Sequence, residues 1–275
     1  MSYADQIFIA NCKEILNEGV WDTDLAVRPR WEDGSPAHTV KKFGIVNRYD
    51  LSKEFPIQTI RRMYFKSAVD ELLWIWQKKS NNVSDLAGHV WDAWADENGS
   101  IGKAYGYQLG VRHHYAEGEF DQVDRVLYDL KHNPNSRRIM TNLYTHADLS
   151  EMALYPCAYS MTFNVSGNRL NAILNQRSQD MLTANGWNVC QYAALVHMMA
   201  QVSGLQVGEL IHVIADAHIY DRHVPMVEEI IAREPYDAPM MKLDPETDFY
   251  AFTPDSFHLE HYQSHPFSHK IPVAV

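Results

Sequence analysis

The chain has 275 residues, 46% of them hydrophobic, with seven Trp and fifteen Tyr, so it can bury one large core or two modest ones. Its formal net charge of -11 disfavours a broad surface for nucleic acid or anionic membrane, but leaves room for a small basic pocket that takes a phosphate. Three scattered cysteines, Cys12, Cys157 and Cys190, argue against a disulfide framework and fit a reducing, cytoplasmic setting. Asp5, Lys13 and Glu14 interrupt the first apolar stretch, so no signal peptide is expected. No run approaches the ~20 apolar residues that cross a bilayer, and neither membrane nor DNA is expected as a partner.

In chain order, residues 5–18 fit an amphipathic helix with Phe8, Cys12, Ile15 and Leu16 on one side, stopped by Gly19. Residues 28–36 are a loop and 38–48 a strand. Val69, Leu72, Leu73 and Trp76 recur at helical spacing and predict a helix over 65–78. Val123, Val126, Leu127 and Leu130 do the same over 121–131. Ser166-Gly167-Asn168 is a turn between two strand-like runs, which predicts a hairpin with a three-residue loop. Counting outward from that loop sets Cys157 opposite Arg177. Residues 188–203 are apolar nearly all round and predict a buried helix stopped by Gly204. A strand over 210–220 and a short helix over 222–233 follow. With no repeat or linker, one α+β domain over 1–275 is the simplest account.

Several side chains could carry chemistry, each with a plainer alternative. Cys157 beside Arg177 could be an activated nucleophile, since a cation lowers a thiol pKa, or a small apolar core residue. Ser136-Arg137-Arg138 could clamp a phosphate, or be a solvated basic turn. Adjacent strand residues face opposite ways, so both arginines reach one phosphate only with an irregular backbone or from another chain. The Asn188 amide could match the edge of a uracil ring, or cap a helix. His218 and Tyr220 share a strand face with Asp216 and could hold a sugar hydroxyl or phosphate, or simply pack. Trp91, Trp94 and Tyr105 could line a pocket for a flat ligand, or belong to the core. Glu71 could be a buried acid or a solvated helix charge. His258, His261, His265 and His269 raise metal binding, but Pro266 interrupts them and no second ligand cluster stands nearby, so no metal is expected.

Taken in order, these segments resemble the folate-dependent thymidylate synthase family over nearly the whole chain. The resemblance rests on Glu71-Leu72-Leu73-Trp74, Val90-Trp91-Asp92-Ala93-Trp94, Ala104-Tyr105-Gly106, Asn135-Ser136-Arg137-Arg138 and Ala153-Leu154-Tyr155-Pro156-Cys157. It continues through Gln176-Arg177-Ser178-Gln179-Asp180, Trp187-Asn188-Val189, Asp216-Ala217-His218-Ile219-Tyr220 and the closing Ile271-Pro272-Val273-Ala274-Val275. It implies an α+β domain with a large mixed sheet, stacked against its copy in a homodimer. It further implies that Cys157 adds to C6 of dUMP, so that C5 attacks the methylene carbon of methylenetetrahydrofolate, which also supplies a hydride and leaves as dihydrofolate. Arg28, Arg177 and Ser178 would bind the phosphate, with Arg137 and Arg138 arriving from the partner subunit. Asn188 would read the uracil, and His218 and Tyr220 the deoxyribose. Asp180, Trp91 and Trp94 would hold the folate, Arg61 its glutamate tail, and the tail around Ala274 would close the site. Glu71 and Tyr105 would organise water and proton transfers.

Three departures from the family pattern stand out. Ala158 follows the cysteine where many members have His, Thr183-Ala184-Asn185-Gly186 replaces Leu-Gly-x-Pro, and Arg61 replaces a Lys. Loop 28–38 is also longer than in the commonest bacterial form. Two other functions stay open at this level: a hydroxymethylase acting on dUMP or dCMP on the same scaffold, and a non-catalytic protein that binds nucleotide or RNA. Asn188 favours uracil over cytosine, for which an Asp is expected.

Overall fold

The computed structural model describes residues 1–275. Helix α1, Tyr3–Glu18, starts where the Ser2 hydroxyl accepts the Asp5 N–H at 3.2 Å, and ends where the Gly19 N–H donates to the Ile15 carbonyl. Its buried face holds Phe8, Cys12 and Ile15, as its periodicity predicts. Helix α2, Phe65–Trp76, is buried along most of its length. Trp74 is fully buried and donates its indole N–H to the Asn82 carbonyl at 2.9 Å. Truncating Trp74 to Ala would cost about 3–5 kcal/mol. Helix α3, Gln122–His132, is N-capped by Asp121, and helix α4, Gly186–Val202, crosses the core.

One mixed sheet of six strands organises the chain. In sequence they are β1 Val20–Trp21, β2 Thr39–Asp50, β3 Met140–Asn142, β4 Ala158–Ser166, β5 Arg169–Asp180 and β6 Gln206–Tyr220. Their spatial order is β1-β2-β6-β5-β4-β3, with β5 and β6 parallel and every other pair antiparallel. Helix α4 is the crossover that the parallel pair requires. One sheet face carries the buried row Ile45, Ile214 and Gln176, while the opposite face presents Val46 beside Val213 and Asn175. Val46 is 59% exposed. One face is thus covered by helices and the other carries apolar side chains with no cover from its own chain.

The hairpin corrects the sequence count. Its loop has two residues, Gly167-Asn168, with Ser166 opposite Arg169. Gly167 takes φ +62°, the positive value that the first residue of a tight hairpin turn demands. That register is one residue out from the expected one. A bulge between Ala158 and Ser160 absorbs the difference, so Cys157 still lies opposite Arg177 and accepts its N–H at 3.0 Å. The expected partner is right because two errors cancel.

Other elements differ in detail. Strand β6 starts at Gln206, four residues earlier than periodicity suggests. The helix expected over 222–233 is a 3-10 turn, Asp221–His223, followed by helix α5, Val224–Ile231. The His-rich segment forms no helix. His258 pairs with Asp244, His265 with the Glu234 carbonyl and His269 with Glu229. No group of three or more His, Cys, Asp or Glu side chains comes within metal-holding range, and no helix is long and apolar enough to cross a membrane.

Candidate active site

A cavity of about 530 Å³ opens at the carboxyl ends of β5 and β6. Cys157, Arg177, Asn188, Asp180, His218 and Tyr220 all line it, from segments that are distant in sequence. Arg28, Ser178, Trp94 and Ala274 complete the set of expected residues on its walls. Its size is that of a small-molecule site.

Cys157 sits where β4 begins. Its thiol lies 3.8 Å from Arg177 Nη2, and Arg177 is anchored by the Tyr155 and Pro156 carbonyls at 2.7 and 3.1 Å. The Tyr105 hydroxyl accepts the Cys157 N–H at 3.0 Å. Tyr105 adopts φ +44° with ψ -104°, a positive-φ conformation that is costly for a side chain of this size. Burial pushes the Cys157 pKa above its usual value, and Arg177, Tyr105 and Arg28 pull it back only in part. The sequence pairing by itself suggests a pKa lowered by the cation. In the ligand-free chain desolvation wins, because a half-buried thiolate loses more water than one guanidinium replaces.

Asn188 is the third residue of α4 and caps nothing, which removes the helix-cap alternative. Gln176 Nε2 donates to Asn188 Oδ1 at 3.2 Å, and Asn188 Nδ2 donates to Gln191 at 3.2 Å. His212, wholly buried, bonds Gln176 from the strand alongside. Burial lowers the His212 pKa to about 3, so the ring stays neutral and orients the amide without charge. Gly186 opens this helix against Gln58, whose amide a Cβ would meet at 2.7 Å, so the close approach explains a glycine there.

Asp180 ends β5 and accepts the Leu182 and Thr183 N–H groups at 2.8 and 3.1 Å and the Thr183 hydroxyl at 2.6 Å. Burial alone would raise its pKa, but His223, His218 and Thr183 outweigh burial and hold it at about 2. Its carboxylate caps the turn Met181–Asn185, which overlaps the stretch Thr183-Ala184-Asn185-Gly186 that departs from the family pattern. His218 Nδ1 bonds Asp216 at 2.8 Å, and its ring stands edge-on to Tyr220 at 5.2 Å.

Glu71 and Tyr105 are buried and do not line the cavity, although Tyr105 bonds the lining residue Cys157. Glu71 accepts the Trp187 indole N–H at 3.1 Å. Burial raises its pKa to about 7, against the opposing bonds from Gln191, Trp187 and Trp91. Trp91 packs edge-on against Trp94 and Tyr105 at 5.7 and 5.1 Å, so Trp94 faces the cavity and Trp91 backs it. Arg61 is set deeper than the cavity wall. It is 5% exposed, its Nε has no partner and burial lowers its pKa to about 10, so in the ligand-free chain it lies in the interior. Arg62, one residue on, is exposed and lines an outer groove with Lys66. Arg137 and Arg138 are exposed and lie outside the cavity of their own chain.

Sequence reasoning missed Gln176, Gln191, His212 and His223. Polar residues within apolar strand and helix patterns, as at Gln176, His212 and Gln191, were the available signal, because buried polar groups need partners, but those partners come from other elements.

A thiol set against an anchored guanidinium, at the wall of a ligand-sized cavity, is the arrangement that an enzyme of covalent cysteine catalysis requires. Comparison with known proteins narrows the class. The family model described as thymidylate synthase matches residues 6–275, and the chain belongs to that family of methyltransferases. It is 43% identical over 269 residues to the thymidylate synthase of Bacillus phage phi3T, covering 96% of each chain. The Bacillus licheniformis thymidylate synthase is 44% identical over the same share of each. The solved thermostable thymidylate synthase A from Bacillus subtilis superposes with a TM-score of 0.94 at 41% identity, covering 100% of both chains.

Proposed function

We propose that the chain methylates dUMP at C5 with methylenetetrahydrofolate, giving dTMP and dihydrofolate. The observation that carries this reading is Cys157 Sγ beside Arg177 Nη2 at 3.8 Å, in one cavity with Asn188 and Asp180. Arg177, Ser178 and Arg28 take the phosphate. Its dianion approaches the guanidinium that flanks Cys157, while the Asn188 amide offers an N–H to the uracil edge. His218 and Tyr220 hold the deoxyribose.

Cys157 loses its proton and its sulfur bonds to C6, which moves the C5–C6 electron pair onto C5 and the adjoining carbonyl. C5 then bonds the methylene carbon as one of that carbon's two C–N bonds to the folate breaks, and loss of the C5 proton expels the second folate nitrogen, leaving an exocyclic methylene that takes the hydride. The sulfur–C6 bond breaks as the ring double bond re-forms. The folate supplies the methylene carbon and the hydride. Glu71, with its pKa of about 7, can give and take a proton near neutrality through water, and Tyr105 holds the Cys157 backbone in place. Asp180 and Trp94 receive the pterin, with Trp91 stiffening Trp94. The tail around Ala274 closes the cavity and excludes water.

The working unit in this reading is a homodimer joined through the open sheet face that carries Val46, Val213 and Asn175. Arg137 and Arg138 then complete the partner's phosphate site, which accounts for two exposed arginines outside their own chain's cavity. All three cysteines are free, in keeping with a cytoplasmic setting. Mass analysis of the nucleotide after incubation with dUMP and methylenetetrahydrofolate tests the reading. A C5 methyl group with stoichiometric dihydrofolate supports it, a hydroxymethyl group moves the chain to the hydroxymethylases, and unchanged dUMP from folded protein refutes it.

A further inference from the structure

Beneath the cavity His223 occupies an unusual position. It is 1% exposed, in the turn that follows β6, and its two ring nitrogens face different parts of the chain. Nε2 donates to the Pro272 carbonyl at 2.8 Å. Nδ1 has no hydrogen-bond partner and stands 3.7 Å from Asp180 Oδ2. Trp31 and Tyr220 pack edge-on against the ring at 5.6 and 5.5 Å, so it has little room to turn. Trp31 is fixed by its own bond to Asp221 at 3.0 Å and belongs to loop 28–38. The same loop pairs with the tail, as Arg30 and Val275 exchange both backbone hydrogen bonds at 2.9 and 3.0 Å.

We infer that His223 is a positioning residue that ties the tail 271–275 to Asp180, so that the pterin-facing carboxylate and the closing tail hold one geometry. This rests on the roles of Asp180 and the tail under the proposed function. A neutral ring that donates from Nε2 must turn the Nδ1 lone pair toward a carboxylate, which is repulsive. A cationic ring donates to the tail and attracts Asp180 together. Burial disfavours that cation, but Asp180, Pro272 and Asp221 outweigh burial and hold the His223 pKa above its ordinary value. The link also passes through Asp180 to the turn Met181–Asn185 and so to the start of α4, where Asn188 sits.

Two substitutions separate the two nitrogens. In His223→Gln the amide N–H falls near Nε2 and can still reach the Pro272 carbonyl, while the charge facing Asp180 is lost. His223→Asn places its amide near Nδ1 and leaves the Pro272 carbonyl without its donor. Amide hydrogen exchange of the tail is measured on the ligand-free, full chain, alongside KM for each substrate and kcat. Loss of one buried hydrogen bond predicts exchange at Val275 about tenfold faster in His223→Asn and close to unsubstituted in His223→Gln. Both variants should raise the folate KM about tenfold and leave the dUMP KM within about twofold. In the unsubstituted chain, nitrogen NMR at about pH 6 should find both ring nitrogens of His223 protonated. Unchanged tail exchange in His223→Asn, a neutral ring, or parallel changes in both KM values would overturn the inference. The exchange and NMR arms need no substrate, so a failure of the proposed function is recognised separately by an unsubstituted chain that forms no dTMP.

Discussion

Replacing Glu71 by Gln should change the pH dependence of stability as well as activity. Burial lifts the Glu71 pKa from 4.5 to about 7. The native chain therefore binds this proton more tightly than the unfolded chain does. Stability falls as pH rises from about 4.5 toward 7, and then levels off with the full penalty in place. A shift of that size corresponds to about 3 kcal/mol of ionisation cost above neutrality. Gln keeps an acceptor for the Trp187 indole N–H and carries no such penalty. Urea unfolding at about pH 4.5 and about pH 8.5, at one fixed protein concentration, measures it. Relative to the unsubstituted chain, Glu71→Gln should gain about 3 kcal/mol at the higher pH that it does not gain at the lower. A stability difference independent of pH would refute the reasoning, because Glu71 would then titrate as an ordinary exposed carboxyl.

Cys157→Ala should lower kcat by a factor on the order of 10⁴ or more while dUMP binding, followed by calorimetry, stays within about tenfold. Arg177→Ala removes the cation that opposes burial, so the rise of iodoacetamide alkylation at Cys157 should move to higher pH; an unmoved profile would mean that Arg177 does not tune the thiol. Asn188→Asp should weaken turnover of dUMP and admit dCMP, read from a competition assay with both nucleotides. Mixing inactive Cys157→Ala with inactive Arg138→Ala subunits should restore activity at about a quarter of the sites, since random exchange gives half mixed dimers with one intact site each. No recovery after proven exchange would place Arg138 in its own chain's chemistry.

The amino-acid sequence by itself determined the helices with strong periodicity, because burying one apolar face is a local property of residues at helical spacing. Helices α1, α2 and α3 lie within two residues of their expected bounds. It also determined the residues around the cavity, through motifs whose order and spacing identify the family. The tertiary structure alone decided three things. It set the partner of Cys157 through a bulge, which no count along the chain can foresee. It placed Arg61 in the interior and Trp91 behind Trp94, because depth depends on what packs over a residue. It brought His223, Asp180 and Pro272 together from positions 180 to 272, and gave Cys157 a raised pKa where its neighbouring arginine alone predicts a lowered one. Burial and long-range pairing are sums over the whole fold, and they do not appear in any local stretch of sequence.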